Sequence, residues 1–384
     1  MDFIILYIYN KDTKVIFMEK LIGKNQSYCR EINFELVIDL LRKKPYSATQ
    51  MSQLLQLSNA TMSSIVKDLL EIGIIAVDSS ASVKGCGRKQ VFYTINENFG
   101  LILVVNISHT KADVSLTSVK EETIAFESMP VEKVNEETVQ KVILKANELL
   151  FNSGSKSPLK NIIISITGLV DEKDKKHFAQ VAFEKQFHGV PTFLTNDGNL
   201  YARGELAKGS LSREKNGIFI LLDYGIGGSF IVDQDIFRGD NGFSGEMGCL
   251  PCEGNDRFDY LEDVVSLRVL MHKAEDMLNL GNIDIETLID LYHSNDQIHE
   301  MVLESATRLG KTLKSLINVL DIGTVVLNGR VTLFGDEYLA NVRKETDKSF
   351  KKSNVVYSEL MEKGQLIGGA TIGIDYILKK SLEK

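Results

Sequence analysis

The chain has 384 residues, of which 43% are hydrophobic and 25% are charged, and its formal net charge is −8. These are the values of a globular protein, which excludes a disordered chain, and no apolar run approaches the roughly 20 residues that a membrane-spanning helix needs. Four cysteines in a chain of this length do not form a disulfide framework, so we expect a cytoplasmic protein with no membrane partner.

Residues 1–30 are assigned to an N-terminal arm. The stretch "FIILYIY" is too short to span a bilayer and lacks a small-residue cleavage site, which argues against a signal peptide. Met18 offers a second start, so residues 1–17 are either a short strand or an upstream extension. Residues 1–95 carry twelve Lys or Arg against nine Asp or Glu, whereas the whole chain is acidic. A mildly basic head on an acidic body suits a DNA-binding head.

The segment 31–95 predicts three helices followed by two strands. Apolar residues recur at helical spacing in the first helix until Pro45 ends it. Ser47 or Thr49 is expected to cap the second helix, and Ser58 the third, with a tight turn between them. The two strands flank a Ser/Gly/Lys loop in "GIIAVDSSASVKGCGRKQVFYTI". This order is typical of a winged helix-turn-helix domain.

The third helix and the loop supply the candidate DNA contacts. The polar face of that helix carries small and hydrogen-bonding residues with one cation, so it can approach base edges and phosphates closely. In the loop, two glycines precede an Arg–Lys pair that suits a minor groove or a phosphate. The candidate DNA-binding residues are Asn59, Ala60, Thr61, Ser63, Ser64, Lys67, Arg88 and Lys89. The alternative for this head is a three-helix protein-interaction module with a solvated polar face.

Residues 96–384 indicate an α/β body made of two halves. Each half begins with a β-hairpin, the first turning at "SHTKA" and the second at the Gly-rich "LLDYGIGG". Strands and helices follow in both halves, and the chain is mostly helical after Asp263. Two hairpin-led halves predict two similar lobes with a cleft between them.

The motifs of this body resemble, in their order, the ROK family of repressors, open reading frames and sugar kinases. They are "NISHT", "ITGLVD", "TNDGNLYARGE", "GIGGSFIVDQDIFRGDNGFSGEMG", "YLEDVVS", "VVLNGRV" and "GGATIG". The resemblance covers essentially the whole chain. It implies a two-lobed actin-like ATPase (ribonuclease H-like) fold, a sugar in the cleft, and dimers or tetramers. With the winged head in front, the chain is similar to the xylose-type and N-acetylglucosamine-type repressors of this family.

The nucleotide motifs of the family are altered in this chain. In the first hairpin, Asn106 stands where the family has a magnesium-organising Asp, and Ser108 replaces a glycine. In the second hairpin, Tyr224 replaces a small hydroxyl residue and Asp223 adds negative charge beside the phosphates. The adenosine-side Gly-Gly turn reads Asn328–Gly329. We therefore predict no ATP cofactor and no enzyme activity. The alternative is an ATP-dependent ROK kinase of hexoses.

The sugar side of the family pattern is retained. The resemblance assigns sugar binding to Gly168, Asn196, Asp197, Glu246, Cys249 and Glu262. Carboxylates suit sugar hydroxyls because each accepts from two of them, and a charged hydrogen bond contributes about 1.5–3 kcal/mol. In a kinase, Asp197 would be the general base; without ATP it would only accept hydrogen bonds. The structural alternatives are a helix N-cap for Asp197 and a solvated helix face for Glu262.

Cys249 and Cys252 have the spacing of metal ligands. The family usually carries one His and three Cys here, which make a tetrahedral zinc site. In this chain Cys249 occupies the His position, and Tyr260 stands where the last Cys would precede Leu261–Glu262. Two thiolates cannot close a structural site, so we predict no zinc and no other metal.

These patterns predict a sugar-responsive transcriptional regulator, a repressor of carbohydrate-utilisation genes. It would bind operator DNA as a homodimer or homotetramer and release it when a sugar or sugar derivative closes the cleft. A DNA-binding scaffold with a relic sugar site is a further alternative. The joint presence of Asn196, Asp197, Glu246 and Glu262 argues against that alternative.

Overall fold

The structure is a computed structural model, and it describes four segments of the chain: 26–78, 90–166, 173–253 and 258–382. The chain divides into a first unit that ends at Ile95 and a second unit that begins at Asn96. None of the helices in the described segments is long and apolar enough to cross a bilayer. Some predicted features lie outside the described residues: Arg88, Lys89, Gly168 and the segment 1–25.

Three helices and three short strands make up the first unit. They are α1 (Gln26–Lys43), β1 (Tyr46–Ser47), α2 (Ala48–Leu54), α3 (Asn59–Ile72), β2 (Ile75–Val77) and β3 (Phe92–Ile95). The strands form an antiparallel sheet in the order β1-β3-β2. Helix α1 begins inside the segment assigned to the N-terminal arm, and Arg30 on it forms an ion pair with Asp68 on α3. This arrangement is the predicted winged helix-turn-helix.

Local capping defines the two helices of the helix-turn-helix. Ser47 caps α2 in a capping box, in which its hydroxyl accepts from the backbone of Gln50 and the Gln50 side chain accepts from the backbone of Ser47. Of the two predicted caps, Ser47 is therefore the one used. Ser58 caps α3 as predicted, accepting from the backbone N–H of Thr61 at 3.0 Å. The helix ends at Gly73, whose φ of 87° is left-handed.

The second unit contains two five-stranded sheets with their helices, here called lobe 1 and lobe 2. Lobe 1 contains β4 (Leu101–Ile107), β5 (Lys111–Ser118), β6 (Thr123–Pro130), α4 (Glu136–Asn152), β7 (Leu159–Ile166), α5 (Lys173–Gln186) and β8 (Thr192–Thr195). Helix α6 (Asp197–Lys208) leads to lobe 2.

Lobe 2 begins with the second predicted hairpin. Its strands are β9 (Gly217–Leu222), β10 (Ile226–Val232), β11 (Asp235–Phe237), β12 (Pro251–Glu253), β13 (Phe258–Tyr260), β14 (Thr324–Asn328) and β15 (Asn354–Tyr357). Its helices are α7 (Glu262–Val265), α8 (Leu267–Leu278), α9 (Ile285–Ser294), α10 (Asp296–Leu320) and α11 (Gly335–Thr346), and α12 (Lys363–Leu382) follows them.

The two large sheets have the same strand order. It is β6-β5-β4-β7-β8 in lobe 1 and β11-β10-β9-β14-β15 in lobe 2. In each sheet, three antiparallel strands are extended by two parallel strands that are reached through helices. Each lobe has its own hydrophobic core. The predicted α/β fold with two similar, hairpin-led lobes is confirmed.

Helices α6 and α12 pack against each other between the lobes. A Cβ added to Gly204 of α6 would collide with the Gly364 carbonyl of α12, and one added to Gly368 would collide with the Leu200 carbonyl. Only glycine allows the two backbones to approach each other this closely. The first turn of α6 also touches lobe 2, because a Cβ on Gly198 would lie 2.9 Å from the backbone nitrogen of Gly228 in β10. The start of α6 is therefore held against the Gly-rich hairpin.

Candidate functional site

The candidate site lies where the β4–β5 and β9–β10 turns meet the N-termini of α6 and α7, and we call it the inter-lobe site. Asn196 is the N-cap of α6, with its Oδ1 accepting from the backbone of Asn199 at 3.3 Å. The N-cap role considered for Asp197 thus belongs to its neighbour. Asp197 is half-buried, and a Cβ added to Gly227 would lie 3.5 Å from its Oδ1. Its carboxylate therefore lies beside the Gly-rich hairpin.

Glu262, the first residue of α7, also reaches this hairpin. Its Oε2 accepts a hydrogen bond from the backbone N–H of Ile226 at 2.9 Å. Added Cβ atoms on Gly225 and Gly248 would lie 3.2 Å and 2.9 Å from the same oxygen. Glu262 is half-buried, so the solvated helix face considered for it does not describe this side chain.

A short 3-10 turn after β11 has Glu246 as its N-cap and Cys249 as its last residue, and both side chains are exposed. Desolvation, followed by the charges of Glu246, Glu262 and Asp263, raises the pKa of the Cys249 thiol above its usual value. These residues therefore share one electrostatic environment. The structure places Asp197 beside Gly227 and Glu262 beside Gly225 and Ile226 of one hairpin, and the charges of Glu246 and Glu262 both act on Cys249.

A single glycine docks the loop that carries Glu246. Gly245 has a φ of 97°, a left-handed conformation, and a Cβ there would overlap the carbonyl oxygen of Gly228 in β10. Backbone–backbone contact at this point leaves room for no side chain. The loop thus lies directly on the strand that borders the site.

The polar residues of the first hairpin form hydrogen bonds with other residues of this chain. Asn106 is buried, and its side-chain nitrogen donates to Oε1 of Gln365 on α12. The Gln365 nitrogen in turn donates to Oδ2 of Asp113 at 2.6 Å. Ser108 accepts from and donates to the backbone of Lys111, which closes the turn. The sequence did not identify Gln365, which lies 259 positions from Asn106, or Asp113, which is paired with Asn106 on the adjacent strand β5.

In the second hairpin, Asp223 is engaged by Arg330. The Arg330 Nε lies 2.9 Å from Oδ1, its backbone nitrogen lies 3.0 Å from Oδ2, and its Nη2 also donates to Oδ1. Burial alone would lower the pKa of the Arg330 guanidinium, but the hydrogen bonds that it donates to Asp223 and the charge of that carboxylate raise the pKa overall. Arg330 follows the adenosine-side turn Asn328–Gly329. The pair therefore links that turn to the second hairpin, and no motif of the sequence points to Arg330.

The turns of the two hairpins also touch each other. The rings of His109, in the β4–β5 turn, and Tyr224, in the β9–β10 turn, have centroids 5.3 Å apart at an angle of 46°. Two aromatic residues from different lobes thus lie together between the hairpins.

The zinc site implied by the family resemblance does not fit the residues present. Cys252 is buried in the core of lobe 2 and hydrogen-bonds to Thr312, whereas Cys249 is exposed. Within the described segments, no group of three or more His, Cys, Asp or Glu is placed to hold a metal ion. The β12–β13 pairing holds the segment around Cys252 in place of a metal. Arg308 of α10 also holds it, by donating to the carbonyl of Glu253 at 2.7 Å.

In the first unit, α3 presents the predicted polar face to solvent. The exposed residues are Asn59, Ala60, Thr61, Ser63, Ser64 and Lys67. The buried face of the same helix consists of Met62, Ile65, Val66 and Leu69. The Thr61 hydroxyl also lies 2.8 Å from Ser58 Oγ in the cap, so Thr61 has a structural role as well.

Known proteins are similar to this chain over most of its length. A model of the ROK family matches residues 102–380. The xylose repressor of Caldicellulosiruptor bescii is 23% identical, and the alignment covers 90% of this chain and 96% of the repressor. The DNA-binding transcriptional dual regulator NagC of Escherichia coli K12 is 27% identical over 80% of this chain and 82% of its own. The crystal structure of a ROK family transcriptional regulator, a homologue of the E. coli MLC protein, superimposes with a TM-score of 0.75 at 17% identity, covering 92% and 98% of the two chains.

Proposed function

The chain belongs to the ROK family, and from this premise we propose that it is a sugar-responsive transcriptional regulator that represses genes for carbohydrate use. One observation supports the proposal above all. Asp197 and Glu262 of the sugar side lie against the Gly-rich hairpin, whereas the polar residues of the nucleotide side hydrogen-bond to one another. Relatives that match most of the chain bear the names of repressors and regulators.

The sugar would bind at the inter-lobe site. Asn196, Asp197, Glu246 and Glu262 would offer amide and carboxylate groups to the hydroxyls of a sugar bound beside the Gly-rich hairpin. A site built to hydrogen-bond hydroxyls rejects analogues that lack one, because its own polar groups are then left without partners. Gly168 and Cys249 complete the proposed set of contacts. The identity of Cys249 would contribute to the choice of sugar.

Sugar phosphorylation is not part of this proposal. Asp223 and Tyr224, in the hairpin that carries a nucleotide motif of the family pattern, are already in contact with Arg330 and His109. At the position that would organise magnesium, Asn106 offers an amide already donating to Gln365. An amide binds a hard cation more weakly than a carboxylate does.

Operator DNA would be bound by the first unit. The exposed face of α3 would lie in the major groove, and Arg88 and Lys89 would contact a minor groove or phosphates. Because one such domain reads one half-site, we propose that a homodimer or homotetramer binds a two-fold symmetric operator. A coupling free energy of about 1–3 kcal/mol between sugar and DNA binding would change DNA affinity about 5- to 150-fold.

A gel-shift titration with the DNA upstream of the gene, with and without a panel of sugars, tests this function. We expect a shifted band at low salt that one sugar or a related group of sugars removes. No shift at low salt would contradict DNA binding by this chain. Hexose-dependent consumption of ATP that Asp197→Asn abolishes would instead support the kinase alternative.

A further inference from the structure

His109 and Tyr224 bring the turns of the two hairpins into contact. His109 lies in the β4–β5 turn of lobe 1 and Tyr224 in the β9–β10 turn of lobe 2, with ring centroids 5.3 Å apart. Both residues lie outside the hydrophobic cores of the lobes, since His109 is exposed and Tyr224 is 38% exposed. The two rings can therefore separate without opening a cavity in either core.

Hydrogen bonds on both sides of His109 fix the turn of lobe 1. On one side, the Ser108 hydroxyl donates to the Lys111 carbonyl at 2.8 Å and accepts from the Lys111 N–H at 3.2 Å. On the other side, the Thr110 carbonyl accepts from the N–H of Val131 at 2.9 Å, just after the end of β6. His109 is therefore carried on a fixed turn and moves with lobe 1.

The turn of lobe 2 is fixed beside Tyr224. The Asp223 carboxylate binds Arg330 and also accepts from the N–H of Tyr224 at 2.7 Å. The Asp223 carbonyl accepts from the N–H of Leu267, at the start of α8, at 2.9 Å. Tyr224 therefore moves with lobe 2, and the distance between the two rings depends on how the lobes are arranged.

The turn that carries Tyr224 also lies against two of the proposed sugar ligands. Two positions after Tyr224, the N–H of Ile226 donates to Glu262 Oε2 at 2.9 Å. One position further, a Cβ added to Gly227 would lie 3.5 Å from Asp197 Oδ1. The arrangement of the lobes in which the two rings touch is therefore also the one in which both carboxylates lie against a single hairpin.

We propose that His109 and Tyr224 form an aromatic latch between the lobes, which stabilises the arrangement that binds the effector sugar. The inference rests on the proposed function, because that function places the sugar at the inter-lobe site. A contact that exists in one arrangement of the lobes favours every ligand that binds this arrangement, and loss of the contact weakens the binding of that ligand. His109 and Tyr224 are thus positioning residues, which act on the sugar through the hairpin.

A double-mutant cycle on the full chain tests the latch. Calorimetry measures the affinity of the unsubstituted chain, of His109→Ala, of Tyr224→Ala and of the double variant for glucose, xylose and N-acetylglucosamine. For a sugar that binds, we expect each single substitution to weaken binding about 2- to 10-fold, which is the range of an aromatic pair. The double variant should bind no more weakly than the weaker single variant, because both substitutions remove the same contact.

Two further variants separate the latch from other effects of substitution. Tyr224→Phe keeps the ring and should keep the sugar affinity, which excludes a role of the tyrosine hydroxyl. His188→Ala removes another exposed histidine of lobe 1 and should leave the affinity unchanged. If Tyr224→Ala does not fold, as thermal unfolding would show, Tyr224→Leu takes its place in the cycle, because it removes the aromatic ring and keeps an apolar side chain.

A fluorescent reporter follows the latch itself. The chain contains no tryptophan, so Tyr224→Trp places a single indole ring in the latch. A sugar that binds should protect this ring from quenching by acrylamide, because it holds the lobes in the arrangement that brings the ring against residue His109. In the same background, His109→Ala should abolish the protection, whereas His188→Ala should not.

The possible outcomes distinguish this inference from the proposed function. Unchanged affinity in both single variants, additive losses in the double variant, or no protection by a sugar that binds would each overturn the latch and leave the proposed function standing. If none of the three sugars and no other sugar of the gel-shift panel binds the unsubstituted chain, the latch has no effector arrangement to stabilise. This inference is then wrong together with the assignment of the sugar site.

Discussion

Arg330 binds Asp223 through its backbone nitrogen and its guanidinium, and this pair joins the turn after β14 to the β9–β10 hairpin. Both side chains are less than a third exposed. The contact lies on the side of the inter-lobe site where the family resemblance would place a nucleotide. The same two residues therefore hold two turns of lobe 2 together, and Asp223 also accepts from the backbone N–H groups of Tyr224 and Arg330.

Removal of one member of this pair should destabilise the protein. Asp223→Ala leaves the half-buried Arg330 guanidinium without its partner, so we expect a loss of about 1–3 kcal/mol in the free energy of unfolding. Lys141→Ala is the control, because Lys141 and its partner Glu137 are both mostly exposed and their pair should contribute little to the free energy of unfolding. Urea unfolding of the two variants measures the difference. Equal losses in the free energy of unfolding would show that the Asp223–Arg330 pair stabilises the protein no more than an exposed ion pair does.

Asp197 and Glu262 should control sugar affinity without affecting DNA affinity in the absence of sugar. We expect Asp197→Asn and Glu262→Gln each to weaken sugar binding at least about tenfold, since each removes a charged acceptor of a hydroxyl. Calorimetry measures the affinity for sugar, and gel shift measures the affinity for DNA. Asp276→Asn, at an exposed position of α8, is the control and should change neither affinity. Normal sugar binding by both variants would show that Asp197 and Glu262 do not contact the sugar.

Alanine substitutions at Gly245 and Gly242 test whether close backbone contact holds the loop that carries Glu246. Both have left-handed φ values, 97° and 79°, so an alanine costs about 1–2 kcal/mol at either position. Only at Gly245 would the new Cβ also meet the Gly228 carbonyl, whereas nothing lies within 4 Å at Gly242. Gly245→Ala should therefore be clearly more destabilising than Gly242→Ala and should also weaken sugar binding. Thermal unfolding and calorimetry measure the two effects, and equal effects would rule out the close contact.

Lys67 is expected to contact a DNA phosphate. Lys67→Ala should weaken binding by similar factors for different DNA sequences and should reduce the slope of log affinity against log salt by about one. Lys156→Ala, an exposed lysine of the second unit, is the control for the change in net charge. Fluorescence anisotropy across a salt series measures both slopes. An unchanged slope for Lys67→Ala would place α3 away from the phosphates.

The Cys249 thiol should be slow to alkylate near neutral pH. Its raised pKa reduces the thiolate fraction below that of an ordinary cysteine, and the thiolate is the reactive form. Glu246→Gln removes one of the charges that raise this pKa, so its rate–pH curve should shift toward lower pH. Mass spectrometry of the peptide that contains Cys249, after timed exposure to iodoacetamide, gives both curves. Coincident curves would show that Glu246 does not act on the thiol.

Much of the fold and part of the inter-lobe site could be predicted from the sequence. Helix caps such as Ser47 and Ser58, the two hairpins and the helical stripe of α3 depend on residues within a few positions of one another. The assignment of Asp197 and Glu262 came from motif order, and the structure places both carboxylates beside the hairpin. Whether they bind a sugar remains a prediction.

The amino-acid sequence by itself determined which segments become helices and strands, because spacing, capping and turn chemistry are local. Only the tertiary structure decided that Arg330 binds Asp223, that His109 meets Tyr224 and that Gln365 connects Asn106 to Asp113. These residues are separated by more than a hundred positions, or belong to opposite lobes. Their pairing depends on how two sheets and the crossing helices α6 and α12 pack, and no local pattern encodes that packing.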